Sequence, residues 1–260
     1  MDAVRTLALA AVCLTALVSC VPSLSDLSFI ENPQLLNSSH PQISNLKTQQ
    51  GRSFPIDCSR LSVSNPSGVY VIQPIGSHPL VVYCEKTENK FWTVIQRNSL
   101  TTAMKWDESW TTYKNGFGSV DGDHWLGNEN IHKLTSHNVY KVRFIIFDSH
   151  NNCKYADYNT FRVESETNGY IIRLGQHSGT APNSMQTLSS SVLQDNMIFS
   201  TKDRDQDLTS VKCASGTGGF WYNACYNVSL NRKAYLYWGG LCTGNCKASV
   251  MMIMPSDICA

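Results

Sequence analysis

Apolar positions come in short β-branched and aromatic runs with turn formers between them. Val69-Tyr-Val-Ile72, Leu80-Val-Val-Tyr83 and Trp92-Thr-Val-Ile95 are such runs, punctuated by Gly, Pro and Asn, and each predicts a strand. Val139 to Phe147 (VYKVRFIIF) carries the strongest strand pattern and predicts a central strand. Tyr170 to Leu174 and Val250 to Met254 follow the same pattern. Two short helices are predicted. One runs from an Asp107 cap to Lys114 with Gly116 as its stop, the other from Asn128 to about Thr135. Residues 175–235 are dense in Gly, Ser, Asn and Asp. Such a stretch cannot form a large sheet, so it predicts a loop-built lobe that needs cross-links or an ion. No internal repeat is visible.

Residues 1–20 read as a signal peptide. Arg5 gives a positive start and Leu7 to Val18 is an uncharged apolar run of twelve residues, short of the roughly 20 needed to span a bilayer. No later run is long enough to span. Residues 21–56 are rich in Ser, Asn, Gln and Pro and hold no heptad, so they predict a polar, flexible linker. Residues 57–260 form the globular part. With Cys13 and Cys20 leaving in the leader, eight cysteines remain, an even number that fits a disulfide framework in a secreted, extracellular protein. Sequons at Asn37 and Asn227 suit the same compartment. The formal charge of +1 and the lack of a basic stripe argue against nucleic acid. No G-x-S-x-G, H-E-x-x-H or phosphate-loop motif occurs, so no enzyme is expected.

Two constellations carry candidate chemistry. Asp203, Asp205 and Asp207 alternate in one loop. Carboxylates this close repel unless a cation or solvent intervenes, and Ca²⁺ takes roughly six to eight oxygens from carboxylates, carbonyls and water. Counting from Asp203, Leu208 and Ala214 stand where an EF-hand needs Gly and Glu. Spacing alone leaves an exposed acidic loop, flanked by Lys202 and Arg204, as an equal alternative. The second is Cys213-Ala-Ser-Gly-Thr-Gly-Gly-Phe-Trp-Tyr-Asn-Ala-Cys225. Its aromatics could anchor the loop in the core or form a ligand platform. Cys242-Thr-Gly-Asn-Cys246 could be a disulfide or half of a zinc site.

Several ordered segments resemble the fibrinogen C-terminal domain family. They include Ser67-Gly-Val-Tyr70, Trp92-Thr-Val-Ile-Gln-Arg97, Tyr113-Lys-Asn-Gly-Phe-Gly118 and Gly122-Asp-His-Trp-Leu-Gly127. Phe199-Ser-Thr-Lys-Asp-Arg-Asp205 and Trp221-Tyr-Asn-Ala-Cys225 complete the match, which covers about Cys58 to Pro255. The resemblance implies an α+β fold with a small disulfide-linked N-terminal part, a central antiparallel sheet with short helices, and a loop-rich C-terminal calcium and ligand part. It implies bridges Cys58–Cys84 and Cys213–Cys225. It implies Ca²⁺ held by the Asp205 and Asp207 side chains and the carbonyls of Thr209 and Val211, with Asp203 a neighbour. It places a ligand pocket over Phe220, Trp221, Tyr222, Asn223, Ala224, Cys225 and Tyr226, with a cis peptide at Ala224-Cys225. In lectin-type members this turn grips N-acetyl groups. Here Tyr226 stands where the family commonly has histidine, and Cys153, Cys242, Cys246 and Cys259 are extra. These four could pair internally in three ways or link a second chain into an oligomer. The first reading is therefore a secreted calcium-binding recognition protein that binds acetylated glycans in innate immune defence. The alternative is a secreted ligand for a cell-surface receptor or extracellular-matrix protein, of the fibrinogen-like or angiopoietin-related type, without sugar binding.

Overall fold

The computed structural model describes residues 53–186 and 192–257. The expected signal peptide, most of the expected linker, the Asn37 sequon and Cys259 lie outside the described residues. Among those described, no helix is long and apolar enough to cross a membrane.

Fifteen strands are formed among the described residues. In chain order they are β1 (Gly68–Ile72), β2 (Leu80–Thr87), β3 (Lys90–Asn98), β4 (Phe117–Gly118), β5 (His124–Trp125), β6 (Tyr140–Phe147), β7 (Cys153–Val163), β8 (Ile172–Leu174), β9 (His177–Gly179), β10 (Phe199–Ser200), β11 (Phe220–Trp221), β12 (Val228–Ser229), β13 (Leu236–Trp238), β14 (Cys242–Cys246) and β15 (Ala248–Pro255). Ten of them make one sheet with the path β1-β2-β3-β15-β6-β7-β8. Every pairing in it is antiparallel. The C-terminal strand β15 thus slots between β3 and β6, which places β6 well inside the sheet.

Residues 91–98 of β3 are all buried. That explains its continuous apolar pattern, because both faces of the sheet are covered there. Phe91 and Ile95 join the main core, while Trp92 and Val94 join a second cluster on the opposite face.

Helix α1 (Trp110–Asn115) starts at Ser109, whose hydroxyl accepts the Thr112 N–H at 3.2 Å. Asp107, expected as the cap from the sequence, instead lies in a tight turn in which the Glu108 N–H reaches the Trp106 carbonyl at 2.9 Å. Helix α2 (Asn128–Ser136) buries Ile131, Leu134 and Thr135. Gly127 precedes it at φ +104°, and a Cβ there would come within 2.7 Å of the Asn115 backbone. The two helices are therefore joined through a contact only glycine permits.

Beyond the sheet lies the loop-rich lobe, with β10 paired to β11 and β13 between β12 and β14. An aromatic cluster joins lobe to sheet. Trp221 packs against Phe199 at 5.3 Å and Trp125 at 5.9 Å between ring centroids. Covalent links hold the ends: Cys58 is bonded to Cys84, Cys213 to Cys225 and Cys242 to Cys246. The last resolves the disulfide-or-zinc alternative in favour of a disulfide. Cys153 is also in a disulfide, with its partner outside the described residues.

Candidate functional site

The acidic loop follows β10 as a tight turn closed by reciprocal backbone bonds between Thr201 and Arg204. Asp203 ties this turn to α1. Its carboxylate accepts the Trp110 N–H and the Thr201 hydroxyl, both at 2.8 Å. Burial opposes its charge, but these donors hold the carboxyl below its usual range. Arg204 lies 3.9 Å over the Trp110 ring, a cation–π contact that clamps the same joint. Asp203 is thereby committed to the scaffold.

Asp205 and Asp207 sit further along. Asp207 accepts the Thr209 N–H at 3.1 Å and the Cys213 N–H at 2.9 Å. Asp205 accepts the Asp207 N–H at 3.4 Å. Burial first, and then the Asp205 carboxylate, push the Asp207 carboxyl up, although its two N–H donors pull the other way. A cation between the carboxylates would remove that opposition. No group of three or more His, Cys, Asp or Glu among the described residues could hold a metal. Ca²⁺ here would need carbonyl oxygens to complete its shell. Thr209 is half-buried and Val211 is exposed on the same loop, and all these donors are hard oxygens that suit Ca²⁺.

The loop between Cys213 and Cys225 turns inward. Phe220, Trp221 and Tyr222 are fully buried. The Trp221 indole donates to the Tyr170 carbonyl at 2.8 Å and the Tyr222 hydroxyl to the Gly218 carbonyl at 2.6 Å. A Cβ at Gly218 would sit 1.9 Å from the Asn231 carbonyl oxygen. The three aromatics expected to line a ligand pocket are therefore core residues, because their ring edges and polar atoms are satisfied inside the lobe. Asn223 is also buried, and its amide donates to the Leu193 carbonyl at 2.8 Å. The Ala224-Cys225 peptide is cis. Of the expected ligand residues, Ala224 is exposed, and Cys225 and Tyr226 are half-buried. The Tyr226 ring packs 5.5 Å from Tyr237 and 6.0 Å from Tyr222, and its hydroxyl accepts from Arg232 at 2.6 Å.

The sequon at Asn227 is folded inward. Its amide donates to the Ser184 carbonyl at 3.0 Å, and its side chain occupies the space a Cβ on Gly239 would need. A glycan on that nitrogen would have to displace this packing.

No motif or charge run marks the cleft beside the loop. It has a volume of about 490 Å³, and its lining includes Lys105, Trp106, Lys202, Arg232, Lys233 and Tyr235. Tyr235 is 70% exposed. The four cations come from three segments far apart in the chain, each carrying only one or two charges, so no charge run marks them. The Lys202 ammonium donates to the Asp107 carbonyl at 2.5 Å, which fixes one wall.

Comparison with known proteins gives the following. Residues 54–247 match the family model described as the C-terminal globular domain of fibrinogen beta and gamma chains. Fibrinogen-like protein 1-like protein of Gallus gallus is 54% identical over 192 residues, 73% of this chain and 68% of that relative. Angiopoietin-related protein 7 of Mus musculus is 38% identical over 195 residues, 72% of this chain and 56% of that relative. The fibrinogen-like globe domain of human ANGPTL6 superposes with a TM-score of 0.71 at 33% identity, covering 78% of this chain and 96% of that one. A lamprey fibrin D-dimer complexed with the peptide Gly-His-Arg-Pro-amide superposes with a TM-score of 0.70 at 26% identity, covering 97% of this chain and 92% of that one.

Proposed function

This chain belongs to the family of the fibrinogen C-terminal globular domain, and from that premise we propose that it is a secreted recognition protein that docks another protein and catalyses no reaction. The observation that carries the reading is the contrast at the lobe's surface. The turn from Phe220 to Asn223 is packed shut, while a cationic cleft lies open beside it. Buried rings cannot stack on a sugar, whereas Lys105, Lys202, Arg232 and Lys233 around a cleft with an exposed tyrosine suit acidic side chains on a protein surface. The relatives support it: they carry fibrinogen-like and angiopoietin-related names, and the lamprey fibrin neighbour holds a peptide.

Ca²⁺ has a bracing role in this reading. Asp205 and Asp207, with the Thr209 and Val211 carbonyls, would hold the ion and offset the carboxylate repulsion. Asp207 also bonds the Cys213 N–H, so order in the acidic loop is passed to the disulfide loop. Millimolar Ca²⁺ is expected to raise the melting temperature, and Asp205→Asn with Asp207→Asn to abolish the rise. An equal rise in both proteins would remove Ca²⁺ from this loop.

The test of the function is cell-surface binding of the secreted protein. Pre-treating the cells with trypsin should abolish binding, and stripping their glycans enzymatically should leave it. The reverse pattern would restore the acetylated-glycan reading, for which the exposed Ala224 turn is the remaining support.

A further inference from the structure

Tyr235 stands in a backbone conformation that costs the fold energy without a visible gain. Its φ is +61°, in the left-handed region that bulky side chains avoid. Among the described residues, Leu100 and Tyr170 are the other large apolar or aromatic residues with positive φ, and packing accounts for both. Leu100 rests against the main core. Tyr170 is fully buried, and its hydroxyl donates to Glu129 at 2.8 Å. Glu88, Asn89 and Asn151 turn the β2–β3 and β6–β7 hairpins, where tight turns call for such angles. Tyr235 is different. It is 70% exposed, and among the described residues its ring stacks on no other ring and its hydroxyl has no hydrogen-bond partner.

The surrounding chain imposes that conformation. Leu236, the next residue, is fully buried and opens β13 opposite Cys246. Tyr237 pairs with Thr243. Gly244 and Asn245 are therefore extra residues on β14, and they form a bulge. The Cys242–Cys246 disulfide closes the bulge at its base, with both cysteines 2% exposed. Gly244 lies beside Tyr235: a Cβ on it would be 3.8 Å from the Tyr235 Cβ. A disfavoured backbone angle persists only where its surroundings leave no alternative, and such angles gather where a side chain has to be presented.

Tyr235 is presented to the cationic cleft. The cleft carries Lys105, Lys202, Arg232 and Lys233 against a single carboxylate, Asp107. Lys202 is held by the Asp107 carbonyl, and Arg232 donates to the Tyr226 hydroxyl. Lys105 and Lys233 are exposed, and among the described residues neither is in an ion pair. Lys233 stands two residues before Tyr235. A carboxylate taken by Lys233 thus brings its neighbour on the partner chain within reach of the ring. A ring on a fixed backbone loses little freedom on contact, and tyrosines of this kind carry much of an interface's energy.

We infer that Tyr235 is the anchor of this cleft, and that it seats an apolar side chain flanked by acidic residues in an extended segment of a partner protein. The inference rests on the docking reading of the cleft and names what the cleft selects. Charge draws the segment in, and the ring decides which segment stays.

The test measures binding of the purified protein to two immobilised peptides by surface plasmon resonance. One repeats Glu-Glu-Leu and the other Glu-Glu-Gly, so their charge is equal and only the apolar side chain differs. The protein should hold the leucine peptide about tenfold more tightly. Tyr235→Asn should erase that preference and leave binding of the glycine peptide unchanged. Asparagine accepts a positive φ, so the melting temperature of this variant should hold or rise. Tyr235→Phe should keep the preference, and Lys105→Glu with Lys233→Glu should weaken both peptides. No preference in the unaltered protein, or the same preference in Tyr235→Asn, would overturn the inference and leave the cleft reading standing. A lower melting temperature in Tyr235→Asn would show that the ring serves the fold instead. Failure of both peptides to bind, or binding indifferent to the charge reversal, would remove the cleft reading and the inference with it.

Discussion

The sheet and the lobe solve the same problem by different chemistry. In the sheet, backbone groups satisfy one another along the ladders, and apolar side chains fill the faces. In the lobe the ladders are two or three residues long, apart from the five-residue β14, and buried amide side chains take over. Gln194 shows it best. It is fully buried, its nitrogen donates to the Trp221 and Val228 carbonyls at 2.7 and 2.8 Å, and its oxygen accepts the Asn227 N–H at 2.9 Å and the Val228 N–H at 2.5 Å. One side chain thus does the work of four ladder bonds. Asn98 and Asn231 act similarly, reaching the Leu230 and Gly219 carbonyls at 2.9 Å. A region built this way can present a shaped surface without a large core, but each polar strut is a single point of failure.

The largest expected effect follows directly. Gln194→Leu keeps approximate volume but strands four buried backbone groups, and should lower stability by about 4 kcal/mol. Urea unfolding of the purified variant would show it, and a loss under about 1 kcal/mol would mean that the lobe is not strutted as described.

Next is the covalent strut. Cys213→Ser with Cys225→Ser opens a loop of sequence separation 12 and should cost about 3 kcal/mol. Proteolytic cuts should then appear in residues 205–225 before they appear in β3 or β6. Cutting that starts in the sheet would break the contrast between the two regions.

The sheet has its own vulnerability, of similar size but dependent on pH. Burial lowers His124 on β5 to about 4 against a usual 6.5, although its bonds to the Gly122 and Val94 carbonyls favour the proton. Below the usual value the unfolded chain takes up a proton that the folded chain refuses. Stability should be full above pH 6.5, fall as pH drops, and level off near the folded value, with about 3 kcal/mol lost. His124→Gln should flatten that slope. An unchanged slope would show that other groups carry it.

The smallest effect is expected where a sheet side chain faces water. Val81, 47% exposed on β2, should tolerate Thr within about 0.5 kcal/mol.

These differences also explain what could be read from the chain. Val94 and Ile95, or Ile145 and Ile146, read as strand because both faces of the sheet are buried there. β7 (CKYADYNTFRV), the longest strand among the described residues, is not legible in the sequence pattern. Its inward residues, Ala156, Tyr158, Phe161 and Val163, are separated by polar residues, and the spacing from Tyr158 to Phe161 breaks the alternation. The helix from Trp110 was legible from Gly116, but its cap shifted to Ser109 because the turn at Trp106–Glu108 tightens first. In the lobe, the glycine- and serine-rich composition foretold loops. It could not foretell Gln194 or Asn231, because an amide in a polar stretch is ordinarily exposed and no spacing rule marks a buried one. That Phe220 to Tyr222 point inward was legible from the residues alone, which favour a core anchor for an apolar aromatic run, and it was the family resemblance that assigned them to a ligand pocket.

The account rests on the lobe being a scaffold for protein docking through its cationic cleft. The most direct measurement applies the purified protein to an array of receptor and matrix ectodomains and to a glycan array, each with Ca²⁺ and with EDTA, beside Lys105→Glu with Lys233→Glu. The account predicts saturable binding to one or a few ectodomains, reduced at least tenfold by the charge reversal, with no glycan signal. Glycan binding that EDTA removes and the charge reversal leaves intact would contradict it.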